Sequence, residues 1–196
     1  MKTFPLSLLL LFLPVLLFVP VFQACEKPAT SPAFSTAFAE TTRVWAGPGW
    51  WANPLQDWKL DDGKAVCTVS KSNRNLHLLT ARTKLANAGF FVGTKLNFLS
   101  LENSSPDDWA GLRLGVSGLF GNYRDDAIYG RGVAFGVRTD GRLFTDVTGD
   151  TIVSEVLLTA EQLSKGIYLV VNYAPAGTLI IMANAAGEKK PPVSLA

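Results

Sequence analysis

The chain reads as an all-β protein, a sandwich of two antiparallel sheets. Three observations predict it. Apolar residues alternate with polar or glycine positions, as in Leu112-Arg113-Leu114-Gly115-Val116 and Val133-Ala134-Phe135-Gly136-Val137, the period of a half-buried strand. Asp-Gly pairs reverse the chain between such runs, at Asp62-Gly63 and Asp140-Gly141. Glycine accepts a positive φ without a steric penalty, so these pairs are hairpin signals. Helical periodicity is almost absent, whereas aromatic residues and glycine are frequent. Short antiparallel strands must each bury one face, and two stacked sheets do that.

The amino terminus is an address. Met1-Lys2-Thr3 is cationic, Phe4 to Phe22 is apolar, and Cys25 follows directly, so residues 1–24 read as a secretory signal. The apolar run is long enough to span a bilayer, but Pro5, Pro14 and Pro20 each remove a backbone donor and work against a stable spanning helix. Plain secretion and a retained anchor are the alternatives to lipidation of Cys25. Residues 25–42 are rich in Pro, Ala, Ser and Thr without apolar periodicity and read as a tether.

The sandwich domain is expected over residues 43–187, one domain in size. Trp45-Ala46-Gly47-Pro48-Gly49-Trp50-Trp51 is a turn bearing large aromatics, and Asn53-Pro54 continues the irregular segment. Trp58-Lys59-Leu60 starts a strand that Asp61-Asp62-Gly63 turns back into Lys64 to Ser70. Strands are predicted at Leu76 to Thr80, at Phe90 to Phe98, on both sides of Thr139-Asp140-Gly141, and at Thr151 to Leu158. Thr159 caps a short helical turn. Ile167 to Tyr173 and Thr178 to Ala183 form a third hairpin around Ala174-Pro175-Ala176-Gly177. Residues 188–196, opening with Glu188-Lys189-Lys190-Pro191-Pro192, read as the start of a linker or a shortened tail.

Cys67 alternates with Val66 and Val69 and reads as a buried structural thiol. If Cys25 carries lipid, Cys67 has no disulfide partner; otherwise a Cys25–Cys67 bridge is open. With a net charge of +2 and no basic cluster, nucleic acid is not an expected partner.

Candidate ligand-binding residues fall in the central stretch. Asn122 to Arg131 is too polar for a core and sits between two strands, where a loop on a rigid sheet carries binding. Tyr123 and Tyr129, with Trp109 ahead of them, offer ring faces for a sugar, and Arg124, Asp125, Asp126 and Arg131 offer directional hydrogen bonds. The bland alternative makes these aromatics anchors of the loop. Asp125 and Asp126 are also weak calcium candidates, since they lack the alternating acids of a dedicated loop. No other cofactor is indicated. His77, the single histidine, stands between Leu76 and Leu78 and cannot make a zinc site alone. No catalytic residue is assigned. The chain has no Gly-x-Ser-x-Gly, no Glu-x-Asp-x-x-Glu and no nucleophile–base pair, so it is read as a non-enzyme.

Several blocks carry a resemblance. Phe22-Gln23-Ala24-Cys25 resembles the lipobox of bacterial lipoproteins, which implies a lipid on Cys25 and anchoring to the cell envelope, on the periplasmic or surface face of the outer membrane. The order of the strands resembles the concanavalin A-like lectin/glucanase (LamG-like) jelly roll. Trp51 to Trp58, Asn73 to Thr80, Gly111 to Gly115, Tyr123 to Gly130 and Thr139 to Phe144 resemble the domain preceding the catalytic module of bacterial alkaline-phosphatase-D-like metallophosphatases. The resemblance implies an accessory module, freestanding or from a shortened reading frame, that holds a glycan or polymer near such an enzyme. A two-metal phosphatase needs several His, Asp and Asn ligands, and a chain with one histidine does not encode that chemistry. A glycoside hydrolase or lyase on the same fold and a purely structural spacer are the other expectations.

Overall fold

The computed structural model of the chain describes residues 35–81, 89–116, 132–147, 149–174, 177–188 and 193–195. Among them are strands β1 (Trp50–Asn53), β2 (Trp58–Asp61), β3 (Lys64–Cys67), β4 (Asn75–Leu78), β5 (Phe90–Leu96) and β6 (Trp109–Leu114). They continue with β7 (Val133–Arg138), β8 (Arg142–Val147), β9 (Asp150–Leu157), helix α1 (Ala160–Lys165), β10 (Ile167–Tyr173), β11 (Leu179–Ala185) and β12 (Val193–Leu195). Strands β6, β7, β8 and β9 form one four-stranded meander, and β12, β11, β10 and β5 form a second sheet. Two ribbons, β1 with β4 and β2 with β3, accompany them. All pairings are antiparallel.

The two four-stranded sheets share one core. Phe135 and Val137 of β7 and Leu143 of β8 cluster with Leu169 and Val171 of β10 and Ile181 and Ala183 of β11. The alternation seen in the sequence is the cause. In β10, Ile167, Leu169 and Val171 are buried while Tyr168 and Asn172 are exposed. Burying such aliphatic side chains contributes about 1.5–3 kcal/mol each. The chain is therefore an all-β sandwich of two antiparallel sheets.

The turns follow from their residues. Asp62 and Gly63 have φ of 49° and 70°, so the β2–β3 hairpin closes with a two-residue turn in which both central residues are left-handed. At the β7–β8 turn Gly141 has φ of 91°, and a Cβ there would run into the Leu158 carbonyl. Asp140 Oδ1 accepts from the Arg142 N–H at 3.0 Å and completes that turn. Thr159 caps α1 with a reciprocal pair: its Oγ1 accepts from Gln162 N–H at 3.2 Å, and the Gln162 side chain accepts from Thr159 N–H at 2.8 Å. The helix seats fully buried Leu163 in the core.

Three segments differ from the sequence-based expectation. Trp50–Asn53, read as part of an irregular turn, is strand β1, because Asn75–Leu78 supplies a ladder for it. Val193–Leu195, within the expected linker, adds to β11 as β12, and Val193 and Leu195 pack against the core. The end of the expected tether also packs: Phe38 lies against Trp50 with centroids 4.8 Å apart, and Thr42 Oγ1 donates to Asp61. Cys67 is half-buried and free, its Sγ donating to the Val69 carbonyl at 3.3 Å.

Candidate ligand-binding face

The meander has a second face, opposite the core. Strand parity and register put Trp109, Gly111 and Arg113 of β6 on it, beside Arg138, Gly136 and Ala134 of β7 and then Phe144 and Asp146 of β8. At its centre Gly111 pairs with Gly136. Neither position admits a side chain: a Cβ on Gly111 would meet the Phe135 carbonyl, and one on Gly136 the Ala110 carbonyl. The Phe144 ring covers Gly136, its Cε1 standing 3.0 Å from where such a Cβ would sit. Trp109 meets Phe144 edge-on, with centroids 4.9 Å apart and planes at 65°. Phe144 is 4% exposed and Trp109 is 41% exposed, so a buried ring supports one that faces solvent. Arg138 lies over Phe144 at 5.8 Å and is held by Asp107 at 2.6 Å.

The β1–β4 ribbon reaches the same region. Trp51 pairs with His77 across the ribbon, and their rings stack at 5.0 Å and 28°. Arg74 fixes the entry to β4 by donating from Nε to Oδ2 of buried Asp57 at 2.9 Å, with Nη2 2.7 Å from the same oxygen in an ion pair. His77 lies close enough to Arg113 for the two to interact electrostatically. Burial, and then the positive charge of Arg113, hold the imidazole below its ordinary pKa of 6.5. Burial also lowers the pKa of Arg113, while the Asp146 carboxylate opposes that shift. Arg113 in turn stands over the Trp109 ring at 6.0 Å. On the meander, Arg113 and Arg138 thus flank the Trp109 and Phe144 rings.

His77 and Arg113 carry unmet polar groups. Among the described residues, His77 Nε2 and Arg113 Nε and Nη1 are buried without a hydrogen-bond partner. Asp146, the carboxylate that acts on Arg113, spends Oδ1 on the Gly149 N–H at 2.9 Å and forms no ion pair within 4.0 Å among the described residues. Next to Trp51 lies a shallow cavity of about 190 Å³ lined by Trp45, Trp50, Trp51 and Leu55. Arg43 caps the Trp45 ring at 5.1 Å.

No family model matches the chain, and no curated protein or solved structure matches it either.

Of the residues expected to bind ligand, Trp109 lies within this face. Tyr123, Arg124, Asp125, Asp126, Tyr129 and Arg131 lie outside the described residues, as does Cys25. The weak calcium candidates fall with them. Among the described residues, no group of three or more His, Cys, Asp or Glu side chains is placed to hold a metal ion, and no helix is long and apolar enough to cross a membrane. Sequence reasoning missed Arg113 and Arg138, and it considered His77 as a zinc ligand and set it aside. A signal for Arg113 was present. It stands four residues after Trp109 on one alternating strand, which puts both on one face. Nothing in the local sequence pointed to His77, whose neighbours here come from β1 and β6.

Proposed function

We propose that the chain is a non-catalytic binding module, and that its ligand lies across the outer face of the meander with sugar-like rings stacked on Trp109 and beside Trp51. One observation carries this reading: an exposed tryptophan held edge-on by a buried phenylalanine, with Arg113 over its ring. Ring faces supply apolar area, and flanking Arg and His side chains supply directional hydrogen bonds, which is how carbohydrate-binding surfaces recognise their ligands. Hydrolysis of a glycosidic bond would require two carboxylates converging on one site. On this face Asp107 is paired with Arg138 and Asp146 is bonded to the β8–β9 turn, which favours binding.

In the full reading the module belongs to an exported envelope protein anchored by lipid on Cys25, and it holds a glycan or polymer near a metallophosphatase module. Support for that part comes from the lipobox-like and domain-like blocks of the sequence. Affinity electrophoresis of the full chain through gels containing neutral and acidic polysaccharides tests the binding. Retardation by at least one polymer, abolished by Trp109→Ala with the fold intact by circular dichroism, is the expected result. A well-folded chain that no polymer retards would leave a structural spacer. Labelling with an alkyne fatty acid in a bacterial host tests the anchor, with Cys25→Ser losing the label.

A further inference from the structure

We infer that the end of the domain bearing Val44, Trp45 and Leu55 rests on the headgroup layer of a lipid bilayer. This goes beyond the ligand reading and rests on the lipid anchor proposed for Cys25. Val44 is 71% exposed, Trp45 48% and Leu55 52%. Trp45 and Leu55 line one shallow cavity of about 190 Å³, with half-buried Trp50 and Trp51 in its wall. Exposed apolar groups gathered in this way mark a surface that something covers. The segment leading in from the tether is fixed beside it. The Phe38 ring lies 4.8 Å from that of Trp50, and the N–H and carbonyl of Arg43 pair with those of Leu60 at 3.1 and 2.6 Å.

What covers this surface follows from where the chain comes from. Ser35, the first described residue, stands ten residues after Cys25. An extended chain spans at most about 3.6 Å per residue, so acylation of Cys25 keeps Ser35 within about 36 Å of the membrane. The apolar end is therefore the anchored end. Its chemistry suits a headgroup layer. An indole puts its ring among acyl carbons and its N–H among polar groups, which is why tryptophan gathers at membrane interfaces. Val44 and Leu55 add aliphatic area. Arg43 stands over the Trp45 ring at 5.1 Å and is in no ion pair among the described residues, which leaves its guanidinium to meet a lipid phosphate. Asp57, two residues after Leu55, is buried against Arg74 and does not repel an anionic headgroup. The acyl chains hold the protein to the membrane, and this face sets its orientation there.

Tryptophan quenching by brominated lipid tests the contact. The full chain is produced in a bacterial host, purified in detergent and reconstituted into phosphatidylethanolamine–phosphatidylglycerol vesicles, with and without bromine on the upper acyl carbons. Bromine quenches an indole only at short range. The expected result is that brominated vesicles quench the emission, and that Trp45→Phe and Leu55→Asp each lower the quenching roughly twofold or more. Both positions are exposed, so the fold should survive, and quenching of the parent chain needs no variant. A chain that floats with the vesicles but is not quenched, or whose quenching neither variant changes, would overturn this inference while leaving the anchor standing. Unquenched emission together with a dimer in detergent that Leu55→Asp splits would give the face to a second copy and overturn the bilayer contact. A chain whose mass shows no acyl group and which does not float would remove the anchor and this inference together. None of these outcomes bears on polysaccharide binding at Trp109, which is measured separately.

Discussion

Arg74 and Asp57 join the two halves of the ribbon that carries Trp51 and His77. Nε of Arg74 donates to one carboxylate oxygen of Asp57 at 2.9 Å, and Nη2 stands 2.7 Å from the same oxygen. Asp57 is 7% exposed and sits at the end of a single 3-10 turn that follows β1, while Arg74 immediately precedes β4. The ion pair therefore sets where β4 begins, and with it the register that places His77 opposite Trp51. Arg74→Ala should destabilise the chain by about 1.5–3 kcal/mol, the range for a hydrogen bond to a charged group. Chemical denaturation measures it, and loss of the His77 ring-current shift should accompany the loss of stability.

The glycine pair under Phe144 makes a second prediction. Gly136→Ala would drive a methyl group into the Ala110 carbonyl and towards the Phe144 ring, so β6 and β7 must separate or Phe144 must move. A cost of about 1–3 kcal/mol is expected, as for other overpacked sites. Because Phe144 supports Trp109, the tryptophan fluorescence of Gly136→Ala should also change. Unchanged stability and emission would contradict the packing described for this face.

The pH dependence of stability should carry a component from His77. Its pKa in the folded chain is lowered, by burial first and by Arg113 second, so the unfolded chain binds the proton more readily. The contribution is fully present above the ordinary value of 6.5, declines as pH falls through it, and levels off below the folded-state pKa. His77→Gln should flatten the stability profile over that window relative to the parent chain. Asp61 and Glu161, both lowered chiefly by hydrogen bonds to Lys59 and Lys165, act only at the lower pH where carboxylates titrate. An identical slope in the variant and the parent would contradict the account of His77.

Helix α1 is short, so its cap matters. Thr159→Ala removes the acceptor for Gln162 N–H and should cost about 1 kcal/mol. Gln162 also donates to both carboxylate oxygens of Glu188, at 3.1 and 3.0 Å, just after β11. Hydrogen exchange in β11 should therefore quicken at its carboxyl end in the same variant.

Local chemistry was legible in the sequence, and distant chemistry was not. The Asp62-Gly63 and Asp140-Gly141 turns and the Thr159 cap each rest on residues within four positions of one another. Strands such as Ile167–Tyr173 show their buried face by simple alternation. Trp50–Asn53 has no clean alternation, and its partner lies more than twenty residues away, so only the ladder with Asn75–Leu78 reveals it as a strand. Pro191-Pro192 made the carboxyl end read as linker and hid the Val193/Leu195 pair behind them. The site followed the same rule. Trp109 was legible as an aromatic on a strand beside a polar stretch. His77 became part of a site only where the folded chain brings it to Arg113, thirty-six positions away in the numbering.

The most direct measurement is hydrogen exchange by mass spectrometry on the full chain, free and with the polysaccharide that binds best. The account predicts that protection rises in peptides covering 74–78, 109–114 and 134–146, where the ribbon and the outer face of the meander meet. Protection confined to other parts of the sandwich, such as the exposed edge strand β9, or no change on saturation, would contradict it.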